Sequence, residues 1–148
     1  KSDFNTDLGI VHLFPGIDHN NFKHTLSNAN LKAIILLTFG SGNAPTDSNF
    51  LKIIKRYIEK GMIFINLTQC NGGSVQQGKY ETSDQLLKMG VVGAKDMTLE
   101  AVVTKLMIIL GEHKRIKSAN FRFMLTGVRV RSAGASSPYA LIYREFLK

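Results

Sequence analysis

Residues 33–67 read AIILLTFGSGNAPTDSNFLKIIKRYIEKGMIFINL, and this stretch decides the fold. Ala33–Phe39 is apolar nearly throughout, as expected of a strand covered on both faces. Gly40–Pro45 follows as a loop, after which Thr46 or Asp47 offers a side-chain oxygen to cap a helix. Phe50, Ile53, Ile54, Tyr57 and Ile58 recur at helical spacing on one face, and Gly61 suits a left-handed C-cap. Met62–Leu67 is then a second apolar strand. Strand, helix and strand in this order predict parallel pairing through a right-handed crossover.

The same alternation extends in both directions. Upstream, Gly9–Phe14 (GIVHLF) is a β-branched run stopped by Pro15 and Gly16, and a weaker helix spans about 18–27 with Phe22 and Leu26 four apart. Downstream, the loop Thr68–Gly78 leads to a short helix carrying Leu86 and Leu87, which Ser83 is expected to cap and Gly90 to close. Val91 and Val92 form a short fourth strand or an extended link. Asp96 or Thr98 then caps the strongest helix, with Leu99, Val102, Val103, Leu106 and Leu110 on one face. The expected fold class is α/β, a small parallel sheet with helices on both faces. It occupies residues 1–112, with 1–8 as a short linker. Beyond Glu112 the pattern decays: Phe121–Val130 reads equally as helix or strand, and 113–148 stand as a poorly specified basic tail.

Composition narrows the function classes. Of 148 residues 44% are hydrophobic and 20% charged, which suits one folded domain and excludes a disordered chain. No apolar run exceeds five residues, as in Ala33–Leu37, so no membrane partner is expected, and the protein is read as cytoplasmic. The single cysteine, Cys70, cannot form an internal disulfide. His12, His19, His24 and His113 are scattered, and His19 and His24 are five apart rather than the four of a helical metal pair, so no metal site is expected. No cofactor is expected either, because GSGNAP is not the dinucleotide fingerprint and no phosphate-loop lysine follows it. The net charge of +8 is uneven: residues 113–148 carry eight Lys/Arg against one acid, residues 1–112 eleven against ten. A near-neutral body lacks the footprint of a phosphate-gripping surface, which sets nucleic acid aside as a partner.

In an open parallel sheet ligands sit beyond the carboxyl ends of the strands. Two loops leave that edge, Gly40–Pro45 and Thr68–Gly78. The first presents Asn43, whose amide can both donate and accept, or can simply stabilise its own turn. In the second, Cys70 would need a neighbouring base to act as a nucleophile and otherwise reads as a small buried residue. The residues alone describe a binding-type α/β domain with no complete catalytic set.

Five motifs make the loops specific: LFPGI (Leu13–Ile17), FGSGNAP (Phe39–Pro45), INLTQC (Ile65–Cys70), GKYETS (Gly78–Ser83) and GVVGAKDMTLEAVVTKL (Gly90–Leu106). In this order and spacing, over about residues 9–112, the chain resembles the Rossmann-like C-terminal domain of the type I, cytoplasmic-type L-asparaginases. The resemblance implies hydrolysis of L-asparagine to L-aspartate and ammonia, with the threonine nucleophile and its relay on an N-terminal catalytic domain. No T-G-G-T or T-D-T segment occurs here, so the chain alone is expected to be inactive and to hold no catalytic residue. The partners implied are L-asparagine, that N-terminal domain, and further subunits of a homodimer or homotetramer with sites at the subunit boundaries. Asn43 matches the asparagine that this domain lends to the neighbouring subunit's substrate pocket. Thr68 and Cys70 match positions lining an effector-asparagine pocket of some bacterial members, whereas Leu37 stands where those members have an arginine. Effector binding is therefore expected to be weak or absent. Only MLTGVR (Met124–Arg129) faintly echoes the family's ending, and the following VRSAGASSPYALIYREFLK has no counterpart. Two alternatives are a non-catalytic amino-acid-binding or assembly module and an asparaginase-type subunit of a tRNA-dependent amidotransferase, which the basic tail would suit.

Overall fold

The computed structural model describes residues 4–28, 30–76, 78 and 81–112. Four strands, β1 (Leu8–His12), β2 (Ala33–Thr38), β3 (Ile63–Thr68) and β4 (Val92–Gly93), alternate with four helices. The helices are α1 (His19–Leu26), α2 (Ser48–Glu59), α3 (Glu81–Met89) and α4 (Leu99–Glu112). The strands form one parallel sheet in the order β1-β2-β3-β4, with Leu8 opposite Ala33, Ala33 opposite Ile63 and Ile65 opposite Val92. The α/β class and the strand–helix alternation expected from the sequence are both present.

Strand order dictates where the helices go. Successive parallel strands are added in one direction, and crossovers of one hand then place every crossover helix on the same face. Accordingly Phe22 and Leu26 of α1, Phe50 and Ile54 of α2 and Leu86 of α3 share one core with Val11, Ile34, Leu36 and Phe64. The rings of Phe22 and Phe50 meet at 4.7 Å between centroids. Helix α4 follows the last strand and is free to cross to the other face. Its Val102, Leu106, Ile109 and Leu110 bury Ala33, Ile35, Ile65, Leu67 and Val92. Ala33–Leu36 are fully buried because both faces of β2 are covered.

The ends of the helices carry their stops in the sequence. Asp18 accepts from the Asn20 N–H at 3.1 Å, and Asp47, rather than Thr46, accepts from the N–H groups of Asn49 and Phe50 at 2.8 and 3.2 Å. Thr98 takes the same role for α4 through the Ala101 N–H at 3.3 Å. Gly61, at φ +93°, lets the Met62 N–H fold back onto the Tyr57 carbonyl at 3.0 Å. One expectation is corrected here. Ser83 does not cap α3, which already runs from Glu81 and holds Ser83 fully buried inside its first turn. Glu81 and Asp84 in that turn suit the positive end of the helix dipole and allow it to begin earlier. The expected tail at 113–148 lies outside the described residues.

Candidate functional site

The site is built at the carboxyl edge of the sheet, where three loops are stitched together. After β2 the loop 40–45 is closed at its neck by a two-way backbone pair: the Asn43 N–H donates to the Phe39 carbonyl and the Phe39 N–H to the Asn43 carbonyl, each at 2.8 Å. Asn43 is half-buried at the neck of this loop. Beneath it lies Asn66 of β3, fully buried in an otherwise apolar strand. The Asn66 Nδ2 donates to the Gly42 carbonyl at 2.9 Å, and its Oδ1 accepts from the Thr38 hydroxyl at 2.6 Å. Gly42 is required here: at φ +107°, a Cβ would stand 2.8 Å from Val75 Cγ1 and 3.1 Å from Asn66 Nδ2.

The loop after β3 is tied to the other two. Gln76 N–H donates to the Ser41 carbonyl at 3.0 Å and Val75 N–H to the Lys95 carbonyl at 2.9 Å, while Ala94 N–H reaches the Asn66 carbonyl at 2.8 Å. The Thr68 hydroxyl donates to the Gly40 carbonyl and accepts from the Cys70 N–H. Gln69 spans three strand ends. Its Nε2 donates to the carbonyls of Leu13 and Leu37 at 3.1 and 3.4 Å, and its Oε1 pairs with His12 Nε2 at 2.5 Å. With the Gln69 amide nitrogen already donating, the His12 proton must sit on Nε2.

After β3 the chain turns to the face of α3; after β4 it turns to the face of α4. A cavity of about 400 Å³ opens where these paths part, lined by His12, Leu37, Thr68, Gln69, Cys70 and the residues entering α4. This is the edge at which parallel sheets take ligands. Asp96 and Glu100 also line it, and among its described lining residues there is no lysine or arginine. The Glu100 carboxyl is held below the usual carboxylate range by its own backbone N–H and the Thr98 hydroxyl.

The expected site residues thus fall into two places. Thr68, Cys70 and Leu37 come together in the cavity. Asn43 stands apart on the loop that Asn66 supports. Cys70 is exposed rather than buried, because the turn at 71–73 carries it off the strand end; the reading of it as a small core residue is corrected. The composition did not single out Asn66 or Gln69. An amide inside the apolar run Met62–Leu67 was the available signal for the first, and an amide one residue past a strand for the second. Among the described residues no group of three or more His, Cys, Asp and Glu converges in the manner of a metal site.

An open parallel sheet with polar groups gathered at its carboxyl edge is an α/β domain of the class that takes ligands there, and comparison with known proteins gives its family. Residues 7–123 match the model of the Glutaminase/Asparaginase C-terminal domain, and the chain belongs to that family. It is 37% identical over 125 residues to L-asparaginase 1 of Escherichia coli (strain K12), covering 80% of this chain and 37% of that protein. It is 35% identical over 111 residues to a 60 kDa lysophospholipase of Mus musculus, covering 75% of this chain and 19% of that one. Among solved structures, L-asparaginase I from Vibrio cholerae superposes with a TM-score of 0.75 at 36% identity, covering 84% of this chain and 36% of the other. The chain therefore spans little more than a third of each of these two asparaginases.

Proposed function

We propose that this chain serves as the C-terminal domain of an L-asparagine amidohydrolase, contributing Asn43 to a substrate site that a separate catalytic domain completes in a neighbouring subunit of a homodimer or homotetramer. The observation that carries the reading is the family match over residues 7–123, which includes the GNAP loop. The geometry supports it. Asn43 stands at the carboxyl edge on a loop whose backbone is pinned from below, so its main chain is positioned before any substrate arrives. Two threonine hydroxyls at this edge are committed elsewhere: Thr38 donates to Asn66 and Thr68 to the Gly40 carbonyl. Neither is paired with a base as an activated nucleophile requires. Hydrolysis then depends on the other domain, and the present chain positions substrate. Among the described residues no helix is long and apolar enough to cross a membrane.

The cavity holding Thr68 and Cys70 is the candidate effector pocket in this reading. Leu37 brings no charge to it, and its charged lining is acidic. Among its described lining residues an amino acid's carboxylate finds no lysine or arginine to pair with.

A chimera tests the proposal. The N-terminal part of the Escherichia coli enzyme is joined to this chain in place of its own C-terminal domain. Ammonia release from L-asparagine by the chimera, with none from the present chain alone, is the expected result. A folded, oligomeric chimera with no turnover, or turnover by this chain alone that survives repurification, would overturn the reading.

A further inference from the structure

The loop after β3, TQCNGGSVQQG at 68–78, contains the chain's one Asn-Gly step, Asn71-Gly72. The structure sets it at the tip of a tight turn, which the Gly73 N–H closes on the Cys70 carbonyl at 3.0 Å. Both residues are exposed, and Gly72 takes φ +69°. A Cβ built on Gly72 would meet nothing within 4 Å, so this corner of the turn stands in open solvent. The chain is tied on either side of it: the Cys70 N–H donates to the Thr68 hydroxyl at 3.1 Å and the Val75 N–H to the Lys95 carbonyl at 2.9 Å. Those bonds pass Asn71 and Gly72 by. Among the described residues nothing accepts from the Gly72 N–H, and nothing pairs with the Asn71 side-chain amide. Other asparagines of this edge are held differently. Asn66 is fully buried with both ends of its amide paired, and Asn43 precedes the buried Ala44.

We propose that Asn71 is a site of spontaneous deamidation in the folded protein, which makes the wall of the cavity at the carboxyl edge more acidic as the protein ages. The Gly72 nitrogen loses its proton to hydroxide and bonds to the side-chain carbonyl carbon of Asn71, and the side-chain amide nitrogen leaves as ammonia. This closes a succinimide ring. Water then opens the ring at either carbonyl, which gives aspartate or isoaspartate at position 71. The sum is one water consumed and one ammonia released per chain, with no oxidant or cofactor. Glycine matters because a side chain on residue 72 would crowd the ring and stiffen the main chain that must turn to form it. The unpaired N–H matters because no hydrogen bond has to be given up before its proton is lost. Asn71 lines the cavity together with Asp96 and Glu100, and no lysine or arginine lies among its described lining residues. The product adds a further carboxylate to that wall, and in its isoaspartate form it also lengthens the main chain of the turn by one atom.

Ageing of the purified full chain tests this. The chain is held in neutral and in mildly alkaline buffer and digested, and each asparagine is read by peptide fragmentation that separates aspartate from isoaspartate. Position 71 should gain about 1 Da roughly tenfold faster than position 43, faster still in the alkaline buffer, with isoaspartate among the products. Gly72→Ala should slow the gain about tenfold. Because that alanine takes a positive φ, its thermal melt is recorded alongside. Asn71→Gln, which cannot close the same ring, should remove the acidic form that ion exchange resolves in the aged parent. The comparison of positions 71 and 43 within the parent chain depends on neither variant. A gain at position 71 no faster than at position 43, or one that appears only in urea-unfolded chain, would overturn the proposal. So would an unchanged rate in a folded Gly72→Ala chain, or an acidic form that persists in Asn71→Gln.

Discussion

A side-chain amide buried in a strand is costly unless both of its ends are paired, and Asn66 meets that condition by joining Thr38 to the loop that carries Asn43. Its removal leaves the Gly42 carbonyl without that donor. Asn66→Ala should lower the unfolding free energy by about 1–3 kcal/mol, seen in urea titration as a lower midpoint at unchanged slope. A midpoint within experimental scatter of the parent would mean that the loop is held by its backbone pairs alone. Leu37 marks the second prediction. Calorimetry should find L-asparagine binding to the cavity only weakly, and Leu37→Arg should tighten it about 10- to 100-fold, the worth of roughly 1.5–3 kcal/mol for a hydrogen bond between charged groups. Micromolar binding to the parent chain, or no gain in the arginine variant, would contradict the role given to the missing cation. At this scale motifs pointed to Asn43 and Thr68, and both stand at the carboxyl edge of the sheet. The sequence was silent on Asn66 and Gln69, whose importance lies in contacts 24 to 57 positions away.

The elements themselves were readable because their signals are local. Helix α2 shows this: Asp47 caps it, Phe50 and Ile54 face the core, and Gly61 turns the chain at its end. The backbone N–H groups of Phe50 and Asn49 hold the Asp47 carboxyl below its usual range. A depressed carboxylate pKa contributes stability that is complete above the unfolded value, near pH 4, and is lost as the pH falls through the lower folded value. The stability gap between the parent and Asp47→Asn should therefore be open at about pH 6 and close toward about pH 2. Thermal melts across that range decide it, and a gap that persists undiminished in acid would assign the cap to hydrogen bonding without charge. Local signals failed at α3, where Ser83 resembles a cap but is buried within the helix. They were also thin at β4, which pairs over only two residues and is held in register by the Ala94 N–H on Asn66.

For the whole molecule, one-directional strand order sends α1, α2 and α3 to one face and leaves α4 to the other, and the parting of the two paths beyond β3 and β4 opens the cavity. Alternation predicts parallel strands, but strands apolar on both faces carry no mark of their neighbours, so the order and the unequal covering of the sheet came only from the structure. Those features open the carboxyl edge, the edge at which parallel sheets take ligands. The central claim is that Asn43 acts on substrate rather than on its own turn. The most direct measurement is kcat/KM for L-asparagine in the chimera with and without Asn43→Ala, together with the thermal midpoint of each. The account predicts a fall of about 10- to 100-fold, the loss of one hydrogen bond to a charged group, with a smaller midpoint shift than Asn66→Ala produces. Unchanged kinetics with a markedly earlier melt would contradict it and make Asn43 a residue of the turn.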